Sequence, residues 1–283
     1  MIFRHRRAVC LLAAAMAAAL PAAQAAPVRT ASTGLCADQY VLLLADRSQI
    51  VSLSPQSQSA LSLTAGRAKG IAQNRGAAEE FLAGDVKLVV TDDGGGPILS
   101  RVLPRFGIKI VMIPEVASFA AMEQSVRDIA SALGQKARGD ALVADIERRR
   151  AALARLAKTG PHPEIVYFRP DGGGGGAGTF VDAALQEAGF RNLQVRRGIP
   201  GWRGLPLEML VDTPPQGIVT GFFDSAQHSA FYTFSYNPIF SRLAGTVPTM
   251  TLPGKYWSCS GPFMIDAAEY LAKERIRRFG ARS

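Results

Sequence analysis

Residues 118–158 read SFAAMEQSVRDIASALGQKARGDALVADIERRRAALARLAK, and this stretch decides the fold. Its first half carries apolar residues at spacings of three and four: Phe119, Met122, Val126, Ile129 and Leu133. This spacing is the stripe of an amphipathic helix. Gly134 interrupts the stripe, and a second helical run continues from about residue 135 to residue 158. At 1.5 Å per residue the second run alone is about 34 Å long, the width of a small domain.

Short apolar segments alternate with helical patterns on both sides of this stretch. The predicted strands cover residues 49–53, 86–90, 108–113, 164–168, 217–222 and 247–252. The predicted helices outside the central stretch cover residues 37–44, 76–82, 98–106, 179–187, 205–210, 237–243 and 262–278. Alternation of strand and helix is typical of parallel sheets. We therefore predict two Rossmann-like α/β lobes, residues 26–134 and 161–283, joined by one long rigid α-helix at residues 135–160.

The amino terminus has the pattern of a cleaved signal peptide. Three arginines in the first seven residues precede an apolar run over residues 8–20, and a small-x-small site ends at Ala25. The apolar run is too short to span a membrane comfortably. Cys10 lacks the small and apolar neighbours of a lipoprotein site, so we expect no lipid anchor. Residues 1–25 therefore predict a protein that lies outside the cytoplasm, exported by either the general or the twin-arginine route.

Composition argues against two classes of partner. The formal net charge is +9, but the positive residues are dispersed apart from a cluster at residues 273–278, which we interpret as a solvated helix face. No aromatic-basic signature is present, so nucleic acid is not expected as a partner. His162 and His228 are the only histidines after the signal peptide, and a receptor for bare metal ions usually needs a cluster of them. No metal site is expected.

Cys36 and Cys259 are the only cysteines left after cleavage. In an oxidising compartment an isolated pair favours a disulfide over a metal site, the alternative being two buried thiols. The disulfide would tie the start of the first lobe to the end of the second.

In parallel sheets, ligands bind beyond the carboxyl ends of the strands. In the first lobe this rule selects the loops 54–58 and 91–96, with the candidate ligand-binding residues Ser54, Gln56, Asp92 and Asp93. In the second lobe the candidates lie mainly in predicted loops: Arg169, Trp202, Phe222, Tyr256 and Trp257. Large aromatic side chains in loops that face a cleft suit a big, flat and partly apolar ligand, and the alternative for any one of them is packing in the core.

The glycine run at residues 172–176 has no lysine at its end, so it does not match a Walker loop. Two interpretations remain open: a close approach of the backbone to a bulky ligand, with free amides for an anionic edge, or a flexible loop. Asp92 and Asp93 admit a catalytic interpretation, but no nucleophile elbow and no suitably placed histidine accompany them. We therefore expect no enzyme.

Glu79 and Glu208 occupy equivalent places in the two halves, each on a short predicted helix ahead of a strand. Each has the character of an exposed helix carboxylate. As a matched pair they would contact a symmetric, basic partner at both ends of the cleft.

Two stretches carry a resemblance to a known family, GTFVDAALQEAGFRNL at residues 178–193 and EMLVDTPPQGIV at residues 208–219. With Glu79 ahead of the strand at residues 86–90, they make the chain similar to the periplasmic substrate-binding proteins of ABC importers for vitamin B12 and ferric siderophores. The resemblance covers nearly all of the chain after the signal peptide. It implies the class III periplasmic binding protein fold.

The resemblance also implies roles for particular residues. Glu79 and Glu208 would engage arginines on the two subunits of an ABC permease, and Trp202, six residues before Glu208, would pack against the ligand. Arg169 would meet an acidic chelate. The expected protein is a monomer without a cofactor that carries a metal chelate, a ferric siderophore or cobalamin, to the permease dimer. The alternatives are an exported α/β hydrolase that uses Asp92 or Asp93 and a chelate sensor without transport.

Overall fold

The structure, a computed structural model, describes residues 27–92, 96–223, 234 and 236–280, with all their side chains except those of residues 96–98 and 212. The predicted signal peptide, Asp93 and His228 lie outside the described residues. Within the described residues, no helix combines the length and the apolar character needed to cross a bilayer.

The first lobe is built on a four-stranded parallel sheet. Its strands are β1 (Thr30–Thr33), β2 (Ile50–Ser52), β3 (Leu88–Thr91) and β4 (Lys109–Met112), in the spatial order β2-β1-β3-β4. Its helices are α1 (Leu35–Leu44), α2 (Ala65–Ala68), α3 (Ala78–Ala83) and α4 (Gly96–Val102). The strand order reverses between β1 and β3, which opens a crevice at their carboxyl ends.

The central stretch forms two helices, α5 (Phe119–Ala132) and α6 (Lys136–Ala157). The predicted stripe of α5 is buried in the main hydrophobic core. With 22 residues, α6 is about 33 Å long and leads from the first lobe into the second. Gly134, between the two helices, has a φ of 72°, a left-handed conformation that favours glycine.

The second lobe repeats the arrangement of the first. Its strands are β5 (Glu164–Phe168), β6 (Arg191–Asn192), β7 (Gly217–Gly221) and β8 (Thr249–Leu252), all parallel, in the order β6-β5-β7-β8. Its helices are α7 (Phe180–Glu187), α8 (Leu193–Arg196), α9 (Glu208–Asp212), α10 (Pro238–Thr246) and α11 (Met264–Phe279). The predicted α/β fold class is confirmed.

Strand β1 was not predicted, although it lies at the centre of its sheet. Its sequence is TAST, and hydroxyl residues do not form an apolar strand pattern. Thr30 and Ser32 are fully buried because their hydroxyl groups are hydrogen-bonded, Thr30 to the Leu88 carbonyl at 3.1 Å and Ser32 to the Asp38 carboxylate at 2.5 Å. The Leu88 carbonyl is 58 residues away from Thr30, so this part of the strand depends on a tertiary contact, whereas Asp38 is only six residues away from Ser32. The two-residue strand β6 was missed as well.

Two predicted helices differ from the observed ones. Residues 205–207 precede α9, whereas a helix was expected over residues 205–210. Leu205 and Leu207 are both buried, but their spacing of two residues is not that of a helix face. The helix expected over residues 98–106 divides into α4 and a 3-10 turn, Leu103–Phe106, that ends at Gly107 in a left-handed conformation.

Arg150, on α6, connects the two lobes at the hinge. Its guanidinium contacts Glu123 of α5 at 3.2 Å and Glu187 of α7 at 3.1 Å, and it lies 4.6 Å from the centre of the Phe119 ring. Both carboxylates are largely buried, so solvent screens these ion pairs less than exposed ones. The long helix is thereby fixed to one helix from each lobe.

Candidate functional site

A cavity of about 630 Å³ lies at the carboxyl ends of the first three strands of the first lobe. Three of the predicted residues line it: Ser54, Gln56 and Asp92. The Ser54 hydroxyl accepts a hydrogen bond from the Gln56 amide at 3.2 Å, and the Gln56 side chain accepts one from the Leu35 amide at 3.0 Å. Small-molecule sites usually have volumes of about 300–1,000 Å³, so this cavity has room for a ligand.

The Asp92 carboxylate caps α1. It accepts hydrogen bonds from the Cys36 amide at 3.1 Å and the Ala37 amide at 2.6 Å. The first amides of a helix have no acceptor within the helix, and the helix dipole favours a negative charge there. Asp92 therefore joins the end of β3 to the start of α1. Because both of its oxygens are held by amides, the geometry does not support the hydrolase alternative at Asp92.

A buried carboxylate supports this wall of the cavity from behind. Asp38 accepts hydrogen bonds from the Ser32 and Ser54 hydroxyl groups, both at 2.5 Å, and from the Ser54 amide at 2.9 Å. Burial raises the pKa of Asp38, and the hydrogen bonds from Ser32 and Ser54 oppose that rise. The network holds β1, α1 and the loop after β2 together. Sequence reasoning missed Asp38, since it lies inside an apolar helix pattern.

Asn74 and Arg75 also line the cavity and were not predicted. The Asn74 amide nitrogen donates to the Ser32 carbonyl and to the Ser52 hydroxyl, both at 3.0 Å. The Arg75 side chain is exposed, and no hydrogen bond or ion pair links it to another described residue. A free guanidinium at the cavity suits an anionic group on a ligand.

The glycine run is a tightly packed part of the second lobe. All five of its amides donate hydrogen bonds within the protein; the acceptors lie on Arg169, Asp171, Trp202, Gln194 and Gly201. The expectation of free amides for an anionic ligand is therefore wrong, and so is the flexible-loop interpretation. The glycines permit a close approach between two segments of the protein, because a Cβ on Gly176 would lie 2.1 Å from the Ile199 carbonyl oxygen.

The segment packed against the glycine run carries Trp202 to the cleft. Its indole nitrogen donates to the Glu115 carboxylate of the first lobe at 3.0 Å. Its ring centre lies 5.1 Å from that of Phe180, and the Arg169 guanidinium lies 5.8 Å from the Trp202 ring. Arg169 also forms an ion pair with Asp171 at 2.9 Å. Trp202 and Arg169, both predicted, are thus neighbours, and Glu115 and Phe180 were missed.

A rule already used for the first lobe would have found Glu115. It follows β4 by three residues, at the carboxyl edge of the sheet, where ligands of parallel sheets bind. For Phe180 no comparable signal exists, because it begins a helix whose apolar stripe accounts for it equally well.

The remaining predicted aromatic residues do not line the cavity in the first lobe. Trp257 is only 2 % exposed and packs against Tyr167 and Phe180, with each pair of ring centres 5.8 Å apart. Tyr256 packs against Tyr270 at 5.8 Å. Phe222, just after β7, has a φ of 65°, which is unusual for a bulky residue. Through its ring contact, Trp257 supports the position of Phe180.

Cys36 and Cys259 are joined by a disulfide that links the two lobes at the cleft, with an S–S distance of 2.17 Å. Around it lies a second cavity of about 290 Å³, whose lining includes Cys36, Asp92, Glu115, Phe180 and Ser260. Hydrogen bonds from the Val116 amide to the Ser260 hydroxyl at 3.2 Å and from the Ser258 hydroxyl to the Leu61 carbonyl at 3.0 Å also cross between the lobes. The described residues contain no cluster of three metal-binding side chains.

Glu79 lies on α3 and Glu208 begins α9, and both side chains are exposed. Among the acidic residues whose side chains the structure describes, every other one accepts a hydrogen bond or an ion pair. Even the adjacent Glu80 is occupied, because it accepts hydrogen bonds from the Arg75 and Ala77 amides at 2.8 and 3.2 Å. Within the part of the chain whose side chains are described, each lobe therefore presents one unpaired carboxylate.

No model of a protein family matches the sequence, and a search of curated proteins found no match. Solved structures do match. The periplasmic heme-binding protein HutB of Vibrio cholerae is 15 % identical with a TM-score of 0.70, and the match covers 87 % of this chain and 98 % of HutB. RhuT, a periplasmic heme-binding protein from Roseiflexus sp. RS-1, is 20 % identical with a TM-score of 0.67, and the match covers 88 % of this chain and 98 % of RhuT.

The periplasmic vitamin B12-binding protein BtuF of Vibrio cholerae is 14 % identical with a TM-score of 0.61, over 88 % of this chain and 96 % of BtuF. These likenesses extend over both sheets and the helix between them. They confirm, at the level of the fold, the resemblance predicted from the sequence. The chain therefore has the fold of the periplasmic heme- and vitamin B12-binding proteins, the class III periplasmic binding protein fold.

Proposed function

We propose that this protein is the periplasmic substrate-binding component of an ABC importer. It is exported with cleavage of residues 1–25, holds a metal chelate between its lobes and delivers the chelate to the inner-membrane permease. The chelate is a ferric siderophore or cobalamin. The two unpaired carboxylates carry the proposal, because a binding protein must present matched contacts to the two subunits of a permease dimer.

Glu79 and Glu208 suit this docking role. A solvated carboxylate without a partner loses no internal contact when it pairs with an arginine of another protein. One such residue on each lobe, in lobes with the same strand order, matches a partner with two equivalent subunits. Paired carboxylates elsewhere on the surface would first have to give up an ion pair.

The cleft has chemistry suited to a chelate. The first lobe supplies a polar cavity with the free Arg75 guanidinium, and the second supplies Trp202 over Phe180 with Arg169 at its edge. A polar wall and cations suit the anionic groups of a chelate, and aromatic faces suit its flat or apolar parts. Ser54, Gln56 and Asp92 shape the wall that would face the ligand.

Ligand binding is tested by tryptophan fluorescence, because Trp202 and Trp257 are the only tryptophans. The mature protein is titrated with cyanocobalamin, a ferric hydroxamate, a ferric catecholate and hemin, the last because two similar structures bind heme. Saturable quenching by a hydroxamate, a catecholate or cobalamin would support the proposal and name the ligand. Binding of hemin alone would keep the carrier function but show that the ligand is neither a siderophore nor cobalamin. Binding of none of the four compounds would contradict the proposal that the protein carries a chelate.

The proposal that Trp202 contacts the ligand is tested by Trp202→Ala. We expect this variant to bind the ligand identified by the fluorescence titration roughly tenfold or more weakly, as measured by calorimetry. Phe106→Ala is the matched control, since Phe106 is an exposed aromatic residue just before β4, at the edge of the sheet away from the cavity. Equal affinities for the two variants would show that Trp202 does not contact the ligand.

Docking is tested with the double variant Glu79→Ala and Glu208→Ala. We expect its ligand affinity to stay at the wild-type value, while stimulation of the importer ATPase in proteoliposomes is largely lost. A variant of the paired Glu147, which contacts Arg127 on the surface of α5, serves as the control. Full stimulation by the double variant would refute the docking assignment.

A further inference from the structure

An apolar groove of about 210 Å³ lies between α9 and α10, and one of its lining residues, Leu207, directly precedes Glu208. Its buried floor and its more exposed rim consist mainly of Leu207, Leu210, Leu243, Val211, Ile239 and Arg242. Val211 is 61 % exposed and Ile239 is 38 % exposed, although both are aliphatic. Exposed apolar side chains that gather around one depression commonly mark a contact with another protein.

Val211 follows Glu208 by three residues on α9, so the two side chains share a face of that helix. The first lobe repeats this spacing, since Leu82 follows Glu79 by three residues on α3 and is 38 % exposed. In both lobes, the unpaired carboxylate is therefore accompanied by an exposed aliphatic residue. The groove continues this surface on the second lobe.

We propose that the α9–α10 groove receives an aliphatic side chain of the permease segment whose basic residue pairs with Glu208. This inference rests on the proposed function. The permease would contact the second lobe through one ion pair and one inserted apolar side chain, side by side. On the first lobe the corresponding contact would be made against the Leu82 side chain.

The charges at the rim define the occupant. Glu208 directly follows the groove residue Leu207 in the chain, and Arg242 is part of the groove lining; neither exposed side chain forms a hydrogen bond or ion pair with the described residues. A fitting segment carries a basic residue, an aliphatic residue and an acceptor for Arg242 in that order. Anionic lipid headgroups would be repelled by Glu208, and the volume is below the usual range of about 300–1,000 Å³ for small-molecule sites.

The test measures ATPase activity of the permease–ATPase complex from the organism that supplies this chain, reconstituted in proteoliposomes, against the concentration of the mature protein. Val211→Asp and Ile239→Asp are each expected to raise the concentration for half-maximal stimulation about tenfold, because each places a charge at a desolvated apolar contact. Val211→Ile keeps an aliphatic rim and is expected to match the wild-type protein.

Ile276→Asp is the matched control, because Ile276 is an aliphatic residue on α11 with 41 % exposure and lies on neither helix of the groove. Melting temperatures of all variants establish that they are folded. Wild-type stimulation by both groove variants would overturn this inference alone, whereas no stimulation by the wild-type protein would overturn the proposed function. A wild-type dimer in sedimentation that Val211→Asp dissociates would assign the groove to self-association and also overturn the inference.

Discussion

Replacing Gly176 by alanine would place a methyl group in the contact between the glycine run and the segment that carries Trp202. The new Cβ would lie 2.1 Å from the Ile199 carbonyl oxygen and 2.8 Å from the Gln194 side-chain nitrogen. The first of these atoms belongs to the backbone, so it cannot move aside by a change of rotamer. Relief requires the two segments to separate.

Separation has a cost that the structure allows us to estimate. Overpacking of a well-packed site costs about 1–3 kcal/mol. The hydrogen bond from the Gly176 amide to the Gly201 carbonyl, 2.9 Å long, would also be strained or lost, at about 1 kcal/mol. We therefore expect Gly176→Ala to lower the free energy of unfolding by about 2–4 kcal/mol. Trp202 would shift away from Glu115, and affinity for the proposed chelate ligand would fall.

Urea unfolding at pH 7 measures the change in stability, and the fluorescence titration measures the change in affinity. Gly245→Ala is the matched control, because no atom lies within 4 Å of its added Cβ and the residue is near the end of α10. There, alanine is expected to stabilise the protein by up to about 1 kcal/mol through its higher helix propensity. If Gly176→Ala is as stable as Gly245→Ala and binds the chelate normally, the tight packing described for the glycine run is refuted.

Three further predictions concern stability. Arg275 is buried and donates to the carbonyl oxygens of three residues at 2.7–3.2 Å. We expect Arg275→Met to lower the free energy of unfolding, measured in urea, by roughly 3 kcal/mol. The control is Arg277→Met, at an exposed position, which should lower it by less than about 0.5 kcal/mol. Replacing Cys36 and Cys259 by serine opens a loop of 223 residues and should lower the free energy of unfolding in urea by about 3–5 kcal/mol. Free thiols in the denatured, unreduced mature wild-type protein would contradict the disulfide. Burial raises the pKa of Asp38 above its unfolded value of 3.8, so the contribution of Asp38 to stability is complete below pH 3.8 and declines as the pH rises through the folded pKa. The stability of the wild-type protein relative to Asp38→Asn should therefore fall from pH 4 toward neutrality. A difference in stability that does not change with pH would contradict the burial effect.

Several parts of the site were accessible to sequence reasoning because they obey local rules. The carboxyl ends of parallel strands bind ligands, and this rule correctly located Ser54, Gln56 and Asp92 at the cavity. The matched positions of Glu79 and Glu208 were visible in the order of predicted elements. Whether each carboxylate is free or paired was not visible, since the partners of several other acidic residues, such as Arg196 for Glu164 and Trp202 for Glu115, come from distant parts of the chain.

Other parts of the site depend on contacts between segments that are far apart in sequence. The glycine run has the composition of a flexible loop, yet Gln194 and the backbone of residues 199–204 hold it in place. Trp257 has the character of a loop aromatic that faces a ligand, yet it is buried against Tyr167 and Phe180. Neither result follows from local propensity.

The sequence predicted the architecture: two α/β lobes, a long connecting helix and the edge of the first sheet at which the cavity lies. It could do so because helical and strand periodicities repeat within short windows, and because each apolar face must be buried against a neighbouring element. The folded structure was needed to show that TAST forms a central strand, that the amides of the glycine run are hydrogen-bonded and that Glu79 and Glu208 have no partner among the described residues. These properties depend on which distant donors and acceptors meet, and such pairings are established only when the whole chain has folded.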